Sequence, residues 1–99
     1  MIMNNEGVVW KRHPLHPHIE ASTEGCIRLS GRVINPHVYN GLLKIRISRK
    51  IKLNAARLVL CCFVGIPSSE ELHKFTVGYI DDNPLNIKPD NLYWKQILP

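Results

Sequence analysis

The chain has 99 residues, 44% of them hydrophobic and 21% charged, enough for one small core and too few for a second. It carries no apolar run of membrane-spanning length and no secretory-signal pattern at its start, so a cytoplasmic protein with no membrane partner is expected. The net charge of +5 points to an anionic partner, and three cysteines (Cys26, Cys61, Cys62), odd in number with two adjacent, read as reduced thiols and not as a disulfide framework.

Residues 1–18 read as irregular, with a short strand around Trp10 and a Pro/His run ending at His18. Ile19 to Leu29 reads as two short strands about a turn at Thr23-Glu24-Gly25, where Gly25 supplies the positive φ of a tight turn. A loop containing Gly31, Asn35 and Pro36 follows. From Leu42 to Leu53 the period is two: Leu43, Ile45 and Ile47 alternate with Lys44, Arg46 and Ser48. That pattern predicts a hairpin, apolar on one face and cationic on the other, with Arg49-Lys50 as the connection and Lys52 returning to the cationic face. Asn54 suits a helix N-cap, Ala55 to Phe63 a short apolar helix, and Gly65 with Pro67 its end. Ser68 or Ser69 with Glu70-Glu71 is read as the start of a further helical turn. Phe75 to Tyr79 is expected as a strand, Asp81-Asp82-Asn83-Pro84 as a turn, and Leu92 to Trp94 as a return strand.

Charge is segregated along the chain. From Gly25 to Ser69 there is no Asp or Glu, yet Arg28, Arg32, Lys44, Arg46, Arg49, Lys50, Lys52 and Arg57 lie there. All the acids fall outside this stretch. A polyanion is the natural partner of such a surface, and a solvated basic face without a ligand is the competing account. A two-stranded ribbon fits the DNA major groove, so Lys44, Arg46, Arg49, Lys50 and Lys52 are the candidate phosphate contacts.

The segment Val77-Gly78-Tyr79-Ile80-Asp81-Asp82-Asn83-Pro84-Leu85-Asn86 with Asn91-Leu92-Tyr93-Trp94 resembles the HNH homing-endonuclease motif V-D-H-I-D-G-N-x-x-N-N-x-x-x-N-L-x-W. Three further blocks resemble that family in the same order. They are Trp10-Lys11 with Ala21 to Arg28, then Gly41 to Ile47, then Ala56-Arg57-Leu58-Val59 through Phe63 and Gly65. The likeness spans residues 9–94 of a single 1–99 domain. It implies a small α+β fold: a β-rich module over 9–53, then antiparallel hairpins and a short helix leading into a truncated ββα-metal motif over 54–94. It also implies a phage origin and a host-cytoplasm location.

The departures from the family pattern bear on catalysis. Tyr79 stands at the general-base position, and a phenol with a reference pKa near 10 is a poor base at neutral pH. Gly78 stands at a metal-ligand position and has no side chain. The family's other ligand lies on a helix beyond Trp94, which Lys95 to Pro99 is too short to build. Ala56 replaces a histidine at the start of the H-R-L-V block. No catalytic residue, metal or cofactor is therefore expected. Asp81, Asn83, Asn91 and Trp94 are expected to hold the loop and the small core.

Other chemistry is weaker. His13, His16 and His18 bring three imidazoles together, but the intervening prolines suggest an extended, exposed segment without paired cysteine ligands. Asp81-Asp82 lacks the further oxygens of a hard-cation site. Cys61 and Cys62 sit in an apolar helix and read as small hydrophobes. Glu70-Glu71 reads as a solvated face, and His73 is too far upstream of Tyr79 to replace the base. The sequence thus points to an inactive HNH-like protein that binds nucleic acid, with double-stranded DNA the expected form. The alternative is a module that docks on an acidic protein surface to regulate a partner. An active nuclease with unusual residues is the third reading.

Overall fold

A computed structural model describes residues 7–68 and 70–97. Met1 to Glu6, Ser69, Leu98 and Pro99 lie outside them, and with them the expectations for those positions. Among the described residues the elements are nine short strands, one α-helix and two 3₁₀ turns, arranged as three separate antiparallel sheets. The fold is α+β and elongated, 53 × 31 × 26 Å. Among the described residues no helix is long and apolar enough to cross a membrane.

The first sheet has four strands in sequence order: β1 (Trp10–Arg12), β2 (Ile19–Ser22), β3 (Ile27–Leu29) and β4 (Arg32–Ile34). The turn between β2 and β3 is the expected one, with Gly25 at φ +82° and its N–H donating to the Ser22 carbonyl at 2.9 Å. The Ser22 hydroxyl accepts from Glu24 N–H and Cys26 N–H, both at 3.1 Å, so the buried serine is satisfied inside the turn. Pleat alternation puts Ile19, Ala21, Ile27 and Leu29 on one face and the Glu20–Arg28 pair on the other.

The second sheet consists of β5 (His37–Tyr39), β6 (Leu42–Arg46) and β7 (Lys52–Asn54). The predicted hairpin is therefore the last two strands of a three-stranded sheet. The stretch read as a loop after Leu29 holds two strands instead, β4 and β5. The reason lies in its two turns. Ser30 and Gly31 both have positive φ (+50° and +83°), as do Asn40 and Gly41 (+52° and +80°). Two consecutive positive-φ residues define the type I′ turn, whose twist suits a tight hairpin. Leu29 pairs with Arg32 across the first, and Tyr39 with Leu42 across the second.

Helix α1 (Ala55–Phe63) follows directly from β7. The Asn54 side chain caps it by accepting from Arg57 N–H at 3.1 Å, as its position before the apolar run predicts. Seven of its nine residues are buried. It packs against β2 of the first sheet, β6 and β7 of the second, and both strands of the third. A 3₁₀ turn (Leu72–Lys74) then leads into the third sheet, β8 (Phe75–Tyr79) with β9 (Leu92–Gln96), the second 3₁₀ turn (Pro89–Asn91) lying just before β9. Strand β9 runs two residues beyond the expected Leu92–Trp94.

The His13–His18 run is neither extended nor fully exposed. It folds back so that His13 N–H donates to Ile19 C=O at 2.8 Å and Ile19 N–H to His16 C=O at 2.9 Å. His13 is only 6% exposed, and its Nδ1 accepts from Leu15 N–H at 3.1 Å. Proline restricts φ but is compatible with a turn, so two prolines did not keep this segment straight.

The thiols follow the same burial logic. Burial, with Cys61 beside it as the next cause, pushes the Cys62 thiol up to about 11, and burial also raises Cys61. Both should stay protonated and unreactive, whereas Cys26 is exposed. In native protein a disulfide reagent should titrate one thiol, and all three after denaturation. Rapid native reaction of Cys61 or Cys62 would contradict this packing.

Candidate nucleic-acid interface

Register fixes which cations share a face. Lys44 pairs with His37 on one side and Asn54 on the other, and Arg46 pairs with Lys52. Cross-strand partners point the same way, as do alternate residues along a strand. Lys44, Arg46, Lys52, His37 and Tyr39 therefore occupy one face of the β5–β7 sheet. The opposite face carries Leu43, Ile45 and Leu53 into the core. Arg46 and Lys52 are exposed, Lys44 is half-buried, and Arg49 and Lys50 are exposed at the hairpin tip.

Among the described residues these five cations make no salt bridge; the ion pairs involve Arg12, Arg28, Lys74 and Lys88. Other cations are committed locally. The Arg28 guanidinium lies 3.9 Å from the Trp10 ring centroid, and its Nε donates to Glu20 at 3.0 Å. Arg57 lies over Trp94 at 5.6 Å and Lys11 over Phe63 at 5.3 Å. Lys52 Nζ sits 4.2 Å from the Tyr39 ring, an aromatic contact within the cationic face itself. Tyr39 and His37 were not among the expected site residues. The Asn40-Gly41 dipeptide is the signal that would have found them, since it predicts a strand on each side.

The β8–β9 loop is a closed polar network. The Asp81 carboxylate accepts from the Asn83 N–H at 2.8 Å and from the side-chain amides of Asn86 and Asn91, each at 2.9 Å. Asn91 is 7% exposed, and its amide is fully used. Its oxygen accepts from Asp81 N–H at 3.1 Å, and its nitrogen also donates to the Asn86 carbonyl at 3.0 Å. Asn83 accepts from Leu85 N–H at 3.0 Å. These bonds, led by the Asn86 amide and then the Asn83 N–H, hold the Asp81 carboxyl below the usual carboxylate range.

Tyr79 and Gly78 point to opposite faces of the hairpin. Tyr79 pairs with Leu92 and shares its face with Val77 and Trp94, packed on the core. Burial pushes its phenol further up from its ordinary value. Gly78 pairs with Tyr93, whose ring lies across it. A Cβ at position 78 would fall within 2.7 Å of three Tyr93 ring carbons, so the aromatic ring fills the space a side chain there would take. Tyr93 is 43% exposed, and the atoms that close over Gly78 belong to its ring, so the closure is one of ring packing and not of backbone. His73 lies exposed on the 3₁₀ turn at the other end of β8 from Tyr79.

Trp94 is half-buried, less than its place in the motif suggests. It is held from two sides: its Nε1 donates to the Gly65 carbonyl at 2.8 Å, and Arg57 covers its ring. It thereby ties β9 to the exit of α1. The His13 and His16 ring centroids are 4.9 Å apart and those of His16 and His18 6.1 Å. Among the described residues no group of three or more His, Cys, Asp or Glu is arranged to hold a metal ion.

The same arrangement of elements occurs in a solved structure. The fold is similar to that of the HNH homing endonuclease I-HmuI, studied for DNA binding and cleavage, with a TM-score of 0.68 and 22% sequence identity over 89% of this chain. The chain spans about half, 52%, of that endonuclease's length. No protein-family model matches the sequence, and no curated protein matches it.

Two outcomes test the loop. Asn91→Asp keeps the shape but replaces a donor with a carboxylate facing Asp81, and should cost about 2–3 kcal/mol in urea unfolding through lost and unsatisfied bonds. The acid limb tests Asp81. A carboxyl depressed in the native state stabilises above the ordinary carboxylate pKa and loses that contribution as pH falls below about 4. The melting temperature should drop less steeply between pH 5 and pH 2 in Asp81→Asn than in the parent. Parallel curves would show that the carboxylate is not held by the network.

Proposed function

We propose that this chain is a non-cutting nucleic-acid-binding module on an HNH-like scaffold, and that it contacts double-stranded DNA through the cationic face of β5–β7. The observation that carries this reading is the set of cations on one sheet face that make no salt bridge among the described residues, Lys44, Arg46 and Lys52, with Arg49 and Lys50 at the tip. Three strands spaced by about 4.8 Å make a face about 10 Å across, which suits a major groove about 12 Å wide. In this reading residues 9–53 are the binding module and 54–94 the remnant of a cutting site.

Three features support the absence of cutting. The base position holds a half-buried phenol whose pKa is raised, so at neutral pH it keeps its proton. The ligand position at Gly78 has no donor atom and is covered by Tyr93. The Asp81 carboxylate is occupied by three donors from its own loop.

DNA retardation should be steep in salt, with a log–log slope of about −0.9 per phosphate neutralised. Converting Lys44, Arg46 and Lys52 together to Glu should abolish retardation with the fold retained. Absence of any retardation at low salt would sink the nucleic-acid reading. Plasmid DNA incubated with Mg²⁺ or Mn²⁺ should remain supercoiled, and Tyr79→His alone should not restore nicking because position 78 still offers no ligand. Metal-dependent nicking by the pure chain, lost in Asp81→Ala, would show instead that the site is active.

A further inference from the structure

The hairpin tip has a second face. Beyond the last ladder pair, Ile47 N–H donates to Ile51 C=O at 2.9 Å, so these two isoleucines continue the apolar face of Ile45 and Leu53. Nothing in the fold covers them: Ile47 is 44% and Ile51 51% exposed. They overhang a groove of about 330 Å³ whose floor includes Ile19, Leu29 and Leu53. A second hollow of about 190 Å³ continues it toward the start of α1 and shares His16, Ile19 and Leu53 with the first.

The rim is positive. Arg57 lines the helix end of the groove. Arg49 and Lys50 form the turn between the two isoleucines. Arg32 pairs with Leu29 and so lies on the same sheet face as the floor. Among the described residues no acidic side chain lines either hollow. The nearest acid in sequence, Glu20, lies on the opposite face of its strand and is paired with Arg28.

We infer that this groove docks a segment of a partner protein that carries aliphatic anchors flanked by carboxylates. Charge complementarity selects an acidic partner, and the aliphatic floor selects leucine-like anchors, which regain burial of the kind that drives association. A nucleobase is the poorer occupant, because base binding relies on free aromatic or guanidinium planes to stack on, and those lining the hollows are already engaged: the His13, His16 and His18 rings pack on one another and Arg57 on Trp94. Tyr39, which could serve in that way, lies on the other face of the sheet with Lys52. The docking surface and the cationic face are thus back to back on one sheet and share only the tip residues Arg49 and Lys50, so Lys44, Arg46 and Lys52 on one side and Ile47 and Ile51 on the other separate the two interactions.

The probe is a fluorescein-labelled decapeptide with two leucines three positions apart among glutamates and glycines, followed by anisotropy. It should bind saturably, and its affinity should fall roughly tenfold in Ile47→Ser or Ile51→Ser, as the loss of one buried aliphatic side chain implies. Both side chains are already exposed, so these variants should fold, and an unchanged melting curve checks it. Replacing the peptide's leucines by serine, or its glutamates by lysine, should remove binding. Lys44→Gln with Arg46→Gln and Lys52→Gln should weaken DNA retardation while leaving peptide affinity within about threefold, since screened charges on the far face act weakly. No saturable binding, or binding indifferent to Ile47 and Ile51, overturns the inference. So does a labelled ten-nucleotide thymidine strand that displaces the peptide and depends on the same isoleucines, which would assign the groove to nucleic acid.

Discussion

Burial of one nine-residue helix on several sides holds this molecule together. Each sheet has only two to four strands of three to five residues, which by themselves bury little apolar surface. Helix α1 supplies the missing partner to all three. Its sequence shows the demand: Ala55 and Ala56 allow close approach, Leu58, Val59 and Leu60 fill the space, and Cys61 and Cys62 pack as small apolar groups. Arg57 is its one charge, and it emerges over Trp94 and at the end of the groove. The cationic sheet, the polar loop and the apolar groove are all positioned by contact with this helix.

Strong local signals made much of this legible in the sequence. Alternation between Leu42 and Leu53 gave the hairpin and its two faces, Asn54 gave the helix start, and the strand–loop–strand at Phe75 to Trp94 followed from its turn residues. The misses have physical causes. Strands β4 and β5 are three residues each, too short to establish a period, and only the positive-φ pairs at Ser30-Gly31 and Asn40-Gly41 mark them. Trp94 was expected to be a core residue, but an indole that must donate to a helix-exit carbonyl sits at the core's edge. The His13–His18 turn depends on backbone bonds to Ile19, which no side-chain pattern announces.

The loop and the strands around it divide labour in a way the motif alone does not reveal. Asp81, Asn83, Asn86 and Asn91 spend their polar groups on each other and on backbone, and among the described residues no buried side-chain polar atom is left without a partner. Such a network specifies one loop geometry, because a partly satisfied arrangement would be costly in a low-dielectric setting. Shape is thereby preserved independently of whether any reaction occurs at its edge.

The ring of Tyr93 lying across Gly78 couples the fates of two positions. A carboxylate introduced at 78 must first evict the ring, so its measured cost includes the ring's lost packing against backbone. Shortening Tyr93 removes that obstruction, at the loss of whatever the ring shields. The two changes should therefore be strongly non-additive, with Gly78→Asp tolerated better in a Tyr93→Ser background than alone. Position 78 and the Tyr93 ring thus compete for one place on the hairpin face opposite the core, so what either position can carry is set by the other.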